Sequence, residues 1–215
     1  LDGDSLREVV SLISKEEINQ GNSDLLAESF QTFIGYTARG EKGQFFAPKV
    51  AIRCICSILK PKKGELVIDP ACGSGTFLST SMTESGDGVD FIGMDIDSDA
   101  LGLFRAFLEW KEQDTNSTFC INSLDIGSFP KELSDLLSQG VDVVMTNPPF
   151  GGNISVKDSN ILGQYSLANK WKFDKEKERW EITNQKLKKQ DPQVLFIELC
   201  INLLKDGGRM GIVLP

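Results

Sequence analysis

Leu66-Val67-Ile68-Asp69-Pro70-Ala71-Cys72-Gly73-Ser74-Gly75-Thr76-Phe77-Leu78 reads as an apolar strand ending in an acid, then a Gly-x-Gly turn, then a helix. The glycines let backbone approach a ligand closely, and the helix start offers N–H groups that have no partner within the helix. A second strand, Phe91–Asp95, also ends in an acid, and Asp95 lies 20 residues after Gly75. That spacing suits an acid that accepts hydrogen bonds from ribose hydroxyls. The turn is not GxGxxG, and no basic residue accompanies it to hold a pyrophosphate. Two strand-end acids suit a cationic nucleoside better, and S-adenosylmethionine, with its ammonium and sulfonium, is such a ligand.

Outward from this turn, strands and helices alternate. Strands are expected at Leu66–Asp69, Phe91–Asp95, Thr118–Asn122, Val141–Asn147 and Arg209–Leu214. Amphipathic segments separate them near 49–59, 76–83, 98–113, 130–138 and 193–205, the last closed by the stop signal Lys205-Asp206-Gly207-Gly208. The rhythm predicts an α/β fold, a doubly wound and mostly parallel sheet covered on both faces. Residues 1–40 read as a helical appendage, with Leu6, Val9, Val10 and Ile13 at i, i+3, i+4 and i+7. The catalytic domain is expected over 41–215, and 151–191 is expected to be a loop without strands. The chain opens at Leu1 and stops at Pro215 directly after an apolar run, so it reads as a piece of something longer, truncated on its C-terminal side.

Composition narrows the chemistry. The 215 residues carry 23 Lys+Arg against 31 Asp+Glu, net −8, and no histidine. Ser-His-Asp and Cys-His machinery and His-ligated metals are thereby excluded. The acidic balance argues against a free-standing nonspecific nucleic-acid binder. Charge is unevenly placed, however. Residues 151–191 hold nine Lys/Arg and six Asp/Glu, net +3, and the remainder is −11. Five cysteines without a CxxC pair read as reduced, mostly buried thiols of a cytoplasmic protein, Cys54 and Cys56 as core packing, and no metal site is expected. No apolar run approaches the ~18 residues of a membrane span.

Thr146-Asn147-Pro148-Pro149-Phe150-Gly151-Gly152 directly follows the strand Val141–Met145. In an open doubly wound sheet, ligands bind beyond the carboxyl ends of the strands at the topological switch point. With the strands Leu66–Asp69 and Val141–Asn147 as central neighbours, the two motifs face one crevice, and rigid prolines hold an amide and an aromatic ring beside the cofactor.

Taken in order, Gly43-Gln44-Phe45-Phe46-Ala47-Pro48, DPACGSGTFL, GMDID, TNPPFGG and GGR…VLP closely resemble the N6-adenine DNA methyltransferases. Within that family the chain is most similar to the modification (M) subunits of type I restriction-modification systems. The resemblance covers about residues 23–215. It implies a Rossmann-like S-adenosylmethionine-dependent methyltransferase fold and an N-terminal helical domain of which residues 1–40 are the tail. It further implies that Phe45, Ala47 and Pro48 border the methionine end of the cofactor. Asp69, Ala71, Gly73 and Gly75 would line its amino-acid portion, and Asp95 and Ile96 its ribose and adenine. Either Asn122 or Asp125 meets the adenine amino group, since Ile121-Asn122-Ser123-Leu124 departs from the family's usual Gly-Asp-Ser-Leu-like run. Asn147, Pro148, Pro149 and Phe150 are the implied catalytic residues, acting on an adenine flipped out of double-stranded DNA. A DNA-specificity subunit and a restriction subunit are the implied partners, with no membrane. The basic 151–191 segment either touches DNA through Lys170, Trp171, Lys172 and Trp180 or forms a solvated helix over 174–180. Protein-glutamine or RNA amino-group methylation is the rival enzymatic reading, because NPPF also serves other amides and bases. A noncatalytic, cofactor-binding assembly subunit is the third.

Overall fold

The computed structural model describes residues 48–86, 88–150 and 154–215. The chain divides into units of residues 1–38 and 39–215, and the described residues belong to the second. The helical appendage expected over 1–40, together with Phe45, Ala47, Gly151 and Gly152, lies outside the described residues.

Helix α1 (Lys49–Leu59) buries Ile52, Cys56 and Leu59, spaced i, i+4 and i+7 along one face. It stops at Lys60, which takes a left-handed conformation just before Pro61. Strand β1 (Leu66–Asp69) follows, then α2 (Thr76–Ser85), β2 (Asp90–Asp95), α3 (Ser98–Trp110) and β3 (Thr118–Cys120). Asp97 caps α3 by accepting the Asp99 and Ala100 N–H groups at 3.1 and 3.2 Å. Next come α4 (Lys131–Leu137), β4 (Val141–Thr146), α5 (Ser159–Gly163), β5 (Asn169–Asp174), β6 (Arg179–Lys186), α6 (Pro192–Leu203) and β7 (Leu204–Ile212).

Five strands form one parallel sheet in the order β3-β2-β1-β4-β7. Neighbouring residues of the central strands point to opposite faces, as the two-residue period of a strand requires. Val67 of β1 and Val143 of β4 enter a core with α1, α2 and α3, whereas Ile68 and Val144 enter a second core with α4, α5 and α6. Both faces are covered, which explains the nearly uninterrupted apolar runs of β1 and β4. Chain order reverses between β1 and β4, so the expected central neighbours are paired and the crevice opens beyond their carboxyl ends.

Two expectations are corrected. Helix α6 ends at Leu203, and Lys205–Gly208 belongs to β7 rather than to a helix stop. Val141 pairs with Leu204 while Val143 pairs with Arg209, so the extra residues are absorbed in a bulge where Gly207 has φ +77°. The 151–191 segment is not a strandless loop. It contains α5 and the antiparallel hairpin β5–β6, whose turn replaces the alternative helix over 174–180.

Candidate functional site

Gly73 and Gly75 both have positive φ, +52° and +77°, but they meet different surroundings. A Cβ on Gly75 would lie 1.9 Å from the Phe104 ring, so this glycine lets the turn sit directly on α3. A Cβ on Gly73 would have nothing within 4 Å, so this glycine faces open space. The turn is tied to the neighbouring strand: Cys72 N–H donates to the Met94 carbonyl at 2.9 Å, and Gly73 N–H donates to Asp95 Oδ2 at 2.6 Å. The other Asp95 oxygen accepts the Asp97 N–H at 2.8 Å. Two backbone donors thus fix the carboxylate at the end of β2 and leave lone pairs for a ligand. Burial raises the pKa of Asp95, opposed by those same N–H groups.

Asp69, at the end of β1, is fully buried and accepts the Ala71 N–H at 3.0 Å. Burial pushes its carboxyl up to about 7, against the pull of the Thr146 side chain and the Ala71 N–H. The same strand-end environment holds the Cys72 thiol well above its ordinary range, first through burial and then through Asp69 and Asp95. Ile96 is 72% exposed, an apolar surface beside the Asp95 carboxylate.

Beyond β3, Asn122 Oδ1 accepts the Leu124 N–H at 3.1 Å and shapes the turn, while Asp125 projects at its far end. Asp125 accepts hydrogen bonds from Ser128 Oγ at 2.6 Å and Gln164 Nε2 at 2.9 Å, and these contacts lower its pKa, Ser128 first. Both residues stand on this loop, and the Asn122 oxygen already serves the Leu124 N–H. Pro48 is exposed at the start of α1.

Asn147-Pro148-Pro149-Phe150 leaves β4 directly after Thr146, whose carbonyl accepts the Val213 N–H at 3.0 Å. Asn147 and Phe150 are half-buried, Pro148 is buried and Pro149 is exposed. The motif therefore starts at the carboxyl end of β4, beside the end of β1 from which the Asp69–Gly75 turn departs. Sequence reading did not single out Gln164 and assigned no role to Tyr165. The Tyr165 hydroxyl, buried, donates to the Leu124 carbonyl at 2.9 Å, and Gln164 reaches Asp125 and Gly127. Both residues are some forty positions from their partners, and no local pattern signals such a contact.

Cys56, Cys72 and Cys200 are buried free thiols, whereas Cys54 is exposed, so only Cys56 of that pair packs in the core. Among the described residues, no group of three His, Cys, Asp or Glu side chains is arranged to hold a metal, and no helix is long and apolar enough to cross a membrane.

The parallel β3-β2-β1-β4-β7 sheet with helices on both faces and a glycine turn after β1 is an α/β fold of the methyltransferase type. A family model described as N-6 DNA methylase matches residues 21–215, and the chain belongs to that family. It is 25% identical to the type I restriction enzyme EcoEI methylase subunit of Escherichia coli, over 99% of this chain and 41% of the relative. Against the type II methyltransferase M.VspI of Vibrio sp. (strain 343), identity is 28% over 99% of this chain and 46% of the relative. A crystal structure of a type I restriction-modification system methyltransferase subunit from Streptococcus thermophilus shares the fold. Its TM-score is 0.69 at 21% identity, covering 94% of this chain and 41% of that one. The chain thus spans less than half the length of these relatives. Family and fold together imply S-adenosyl-L-methionine as the methyl donor. The open space at Gly73 and the partly exposed Asp95 carboxylate hydrogen-bonded to that turn suit the cofactor.

Proposed function

We propose that this chain is the catalytic portion of an enzyme that methylates the N6 amino group of adenine in double-stranded DNA, acting as the modification subunit of a type I-like restriction-modification system. The observation that carries this reading is the start of Asn147-Pro148-Pro149-Phe150 at the carboxyl end of β4, beside the end of β1 and its glycine turn. Family membership supports it. A DNA-specificity subunit, and with it a restriction subunit, are the partners of this reading, and the setting is the cytoplasm.

Bound S-adenosylmethionine supplies an electrophilic methyl on a sulfonium. Asp95 orients the ribose, Ile96 covers the adenine, and the Gly73 turn admits the amino-acid end. Asn122 and Asp125 are both candidates for the adenine amino group. Each already accepts hydrogen bonds within the loop, Asn122 from the Leu124 N–H and Asp125 from Ser128 and Gln164, and each keeps a lone pair for a further donor. On the substrate side, the Asn147 side-chain oxygen and the Pro148 carbonyl accept the two N6 hydrogens of a flipped adenine. The N6 lone pair is otherwise delocalised into the ring. Two acceptors aimed at its N–H bonds favour a tetrahedral nitrogen whose lone pair points at the methyl. Phe150 stacks on the base, and Pro149 keeps the turn rigid. The nitrogen–methyl bond forms as the methyl–sulfur bond breaks, and the surplus N6 proton passes to solvent afterwards. No side chain has to remove it before transfer, in keeping with a chain that lacks histidine.

The test uses the full-length protein, with any specificity partner, labelled S-adenosylmethionine and duplex DNA. Label recovered as N6-methyladenine, and lost with Asn147→Ala while cofactor binding persists, is the expected result. Label on a protein glutamine or on RNA in place of DNA would overturn it.

A further inference from the structure

The β5–β6 hairpin stands outside the main sheet and carries a surface that the methyl-transfer chemistry does not use. Its strands alternate: Lys170-Trp171-Lys172-Phe173 runs opposite Arg179-Trp180-Glu181-Ile182. Trp171 pairs with Ile182 and Phe173 with Trp180, so one face is an apolar ladder, its Phe173 and Trp180 rings in edge contact at 5.6 Å. These four side chains are 40–63% exposed, which for large apolar groups standing together marks a contact surface.

Charge indicates what the surface contacts. Residues 169–189 hold eight Lys/Arg and four Asp/Glu, net +4, on a chain whose remaining residues sum to −12. Lys177 and Arg179 are neutralised locally by Asp174 and Glu181. Lys170, Lys172, Lys175, Lys188 and Lys189 are exposed and pair with no carboxylate among the described residues. Lys170 and Lys172 stand on the face opposite the ladder. The hairpin therefore offers aromatic rings on one face and cations on the other, which suits a two-stranded ribbon seated in a groove between bases and phosphates.

The hairpin root is fastened to the segment that runs from α5 to β5. Lys186 Nζ donates to the carbonyls of Leu162 and Tyr165 at 3.1 and 2.9 Å, and Trp171 Nε1 donates to the Ser166 carbonyl at 3.3 Å. The Ser166 and Leu167 N–H groups donate to the Glu198 carboxylate, both at 2.7 Å. Gln164 and Tyr165, from the same root, reach the loop that follows the carboxyl end of β3. The hairpin root is thus tied to the carboxyl-end side of the parallel sheet, the side from which Asn147-Pro148-Pro149-Phe150 departs.

We propose that the β5–β6 hairpin is a DNA-contacting arm, which seats its aromatic ladder on sugars and bases while Lys170 and Lys172 reach phosphates from its opposite face. This inference rests on the reading of duplex DNA as the substrate.

The experiment measures the affinity of the full-length protein, with its specificity partner, for random-sequence duplex DNA over a series of salt concentrations. Lys170→Ala with Lys172→Ala should reduce the slope of log K against log salt by about 2, near 0.9 for each lost phosphate contact. Trp180→Ala should weaken binding about five-fold with little change in slope. Binding of S-adenosylhomocysteine should be unchanged in both variants. Unchanged DNA affinity and slope would overturn the proposal. So would retained DNA affinity with loss of the specificity subunit, which would make the ladder a protein-docking face. Loss of S-adenosylhomocysteine binding would make it structural and equally overturn it. Failure of the underlying reading shows separately, as a wild-type protein that transfers no methyl to DNA.

Discussion

Gln164 clasps the Asp125 loop through both ends of its amide. Nε2 donates to Asp125 Oδ1 at 2.9 Å, and Oε1 accepts the Gly127 N–H at 3.0 Å. A residue of the segment that follows the proposed catalytic motif therefore fixes the loop proposed to hold the cofactor's adenine. Tyr165 adds a hydrogen bond to the Leu124 carbonyl of the same loop. If the clasp positions Asp125, Gln164→Ala should weaken S-adenosylhomocysteine binding about five-fold, the loss of roughly one net hydrogen bond. Gln164→Glu should weaken it further, because a carboxylate then faces Asp125. Calorimetric titration measures both, and equal affinity in all three proteins would dissociate the clasp from the cofactor.

The two glycines of the turn should fail in different ways. Gly75→Ala combines a left-handed φ with a Cβ driven into Phe104, and a destabilisation of about 2–4 kcal/mol is expected. Gly73→Ala carries only the backbone strain, about 1–2 kcal/mol, but fills the space left for the cofactor. Urea unfolding with parallel cofactor titration should show Gly75→Ala losing mainly stability and Gly73→Ala losing mainly affinity. The reverse pattern would assign the cradle to the wrong glycine.

Strand β1 and its turn were legible in the sequence because one short stretch combines a continuous apolar run, a terminal acid and closely spaced glycines. Each has a local physical meaning. Lys205-Asp206-Gly207-Gly208 misled because helix ends and strand bulges both use left-handed glycine, and only the pairing of Arg209 with Val143 separates them. The β5–β6 hairpin was hidden by charge: each strand offers two large apolar residues among lysines and glutamates, and the alternation is only a few residues long. The motifs of the site could be read, but not its supports. Gln164 on Asp125 and Tyr165 on Leu124 are long-range contacts set by the packing of α5 against the sheet.

Arg209 joins α1 to β7. Its guanidinium forks onto Glu65, Nη1 to Oε1 at 2.9 Å and Nη2 to Oε2 at 2.7 Å, and also donates to the Leu59 and Lys60 carbonyls at the end of α1. Arg209→Ala strips donors from two carbonyls and a carboxylate, and should cost about 2 kcal/mol in urea unfolding. The Arg209 hydrogen bond chiefly lowers the Glu65 pKa. Its stabilisation is therefore full above the ordinary glutamate value of about 4.3 and is lost as pH falls through the lower folded value. The stability gap between wild type and Glu65→Gln should close in acid. A gap that is constant from neutral pH into acid would mean that the fork contributes shape rather than charge.

Asp69 predicts the opposite trend. Its folded carboxyl, raised by burial to about 7, stays protonated where the unfolded chain, near 3.9, has ionised. Between those values the folded state binds the extra proton, so stability falls as pH rises, by up to about 1.4 kcal/mol per pH unit, and levels off above the folded value. Asp69→Asn keeps an oxygen for the Ala71 N–H and removes the titration. Between pH 5 and 7, the wild type without cofactor should lose stability relative to Asp69→Asn, and the difference should be flat above pH 8. Parallel curves across that range would show that Asp69 is ionised in the fold throughout, and that the end of β1 offers a cationic ligand a permanent charge.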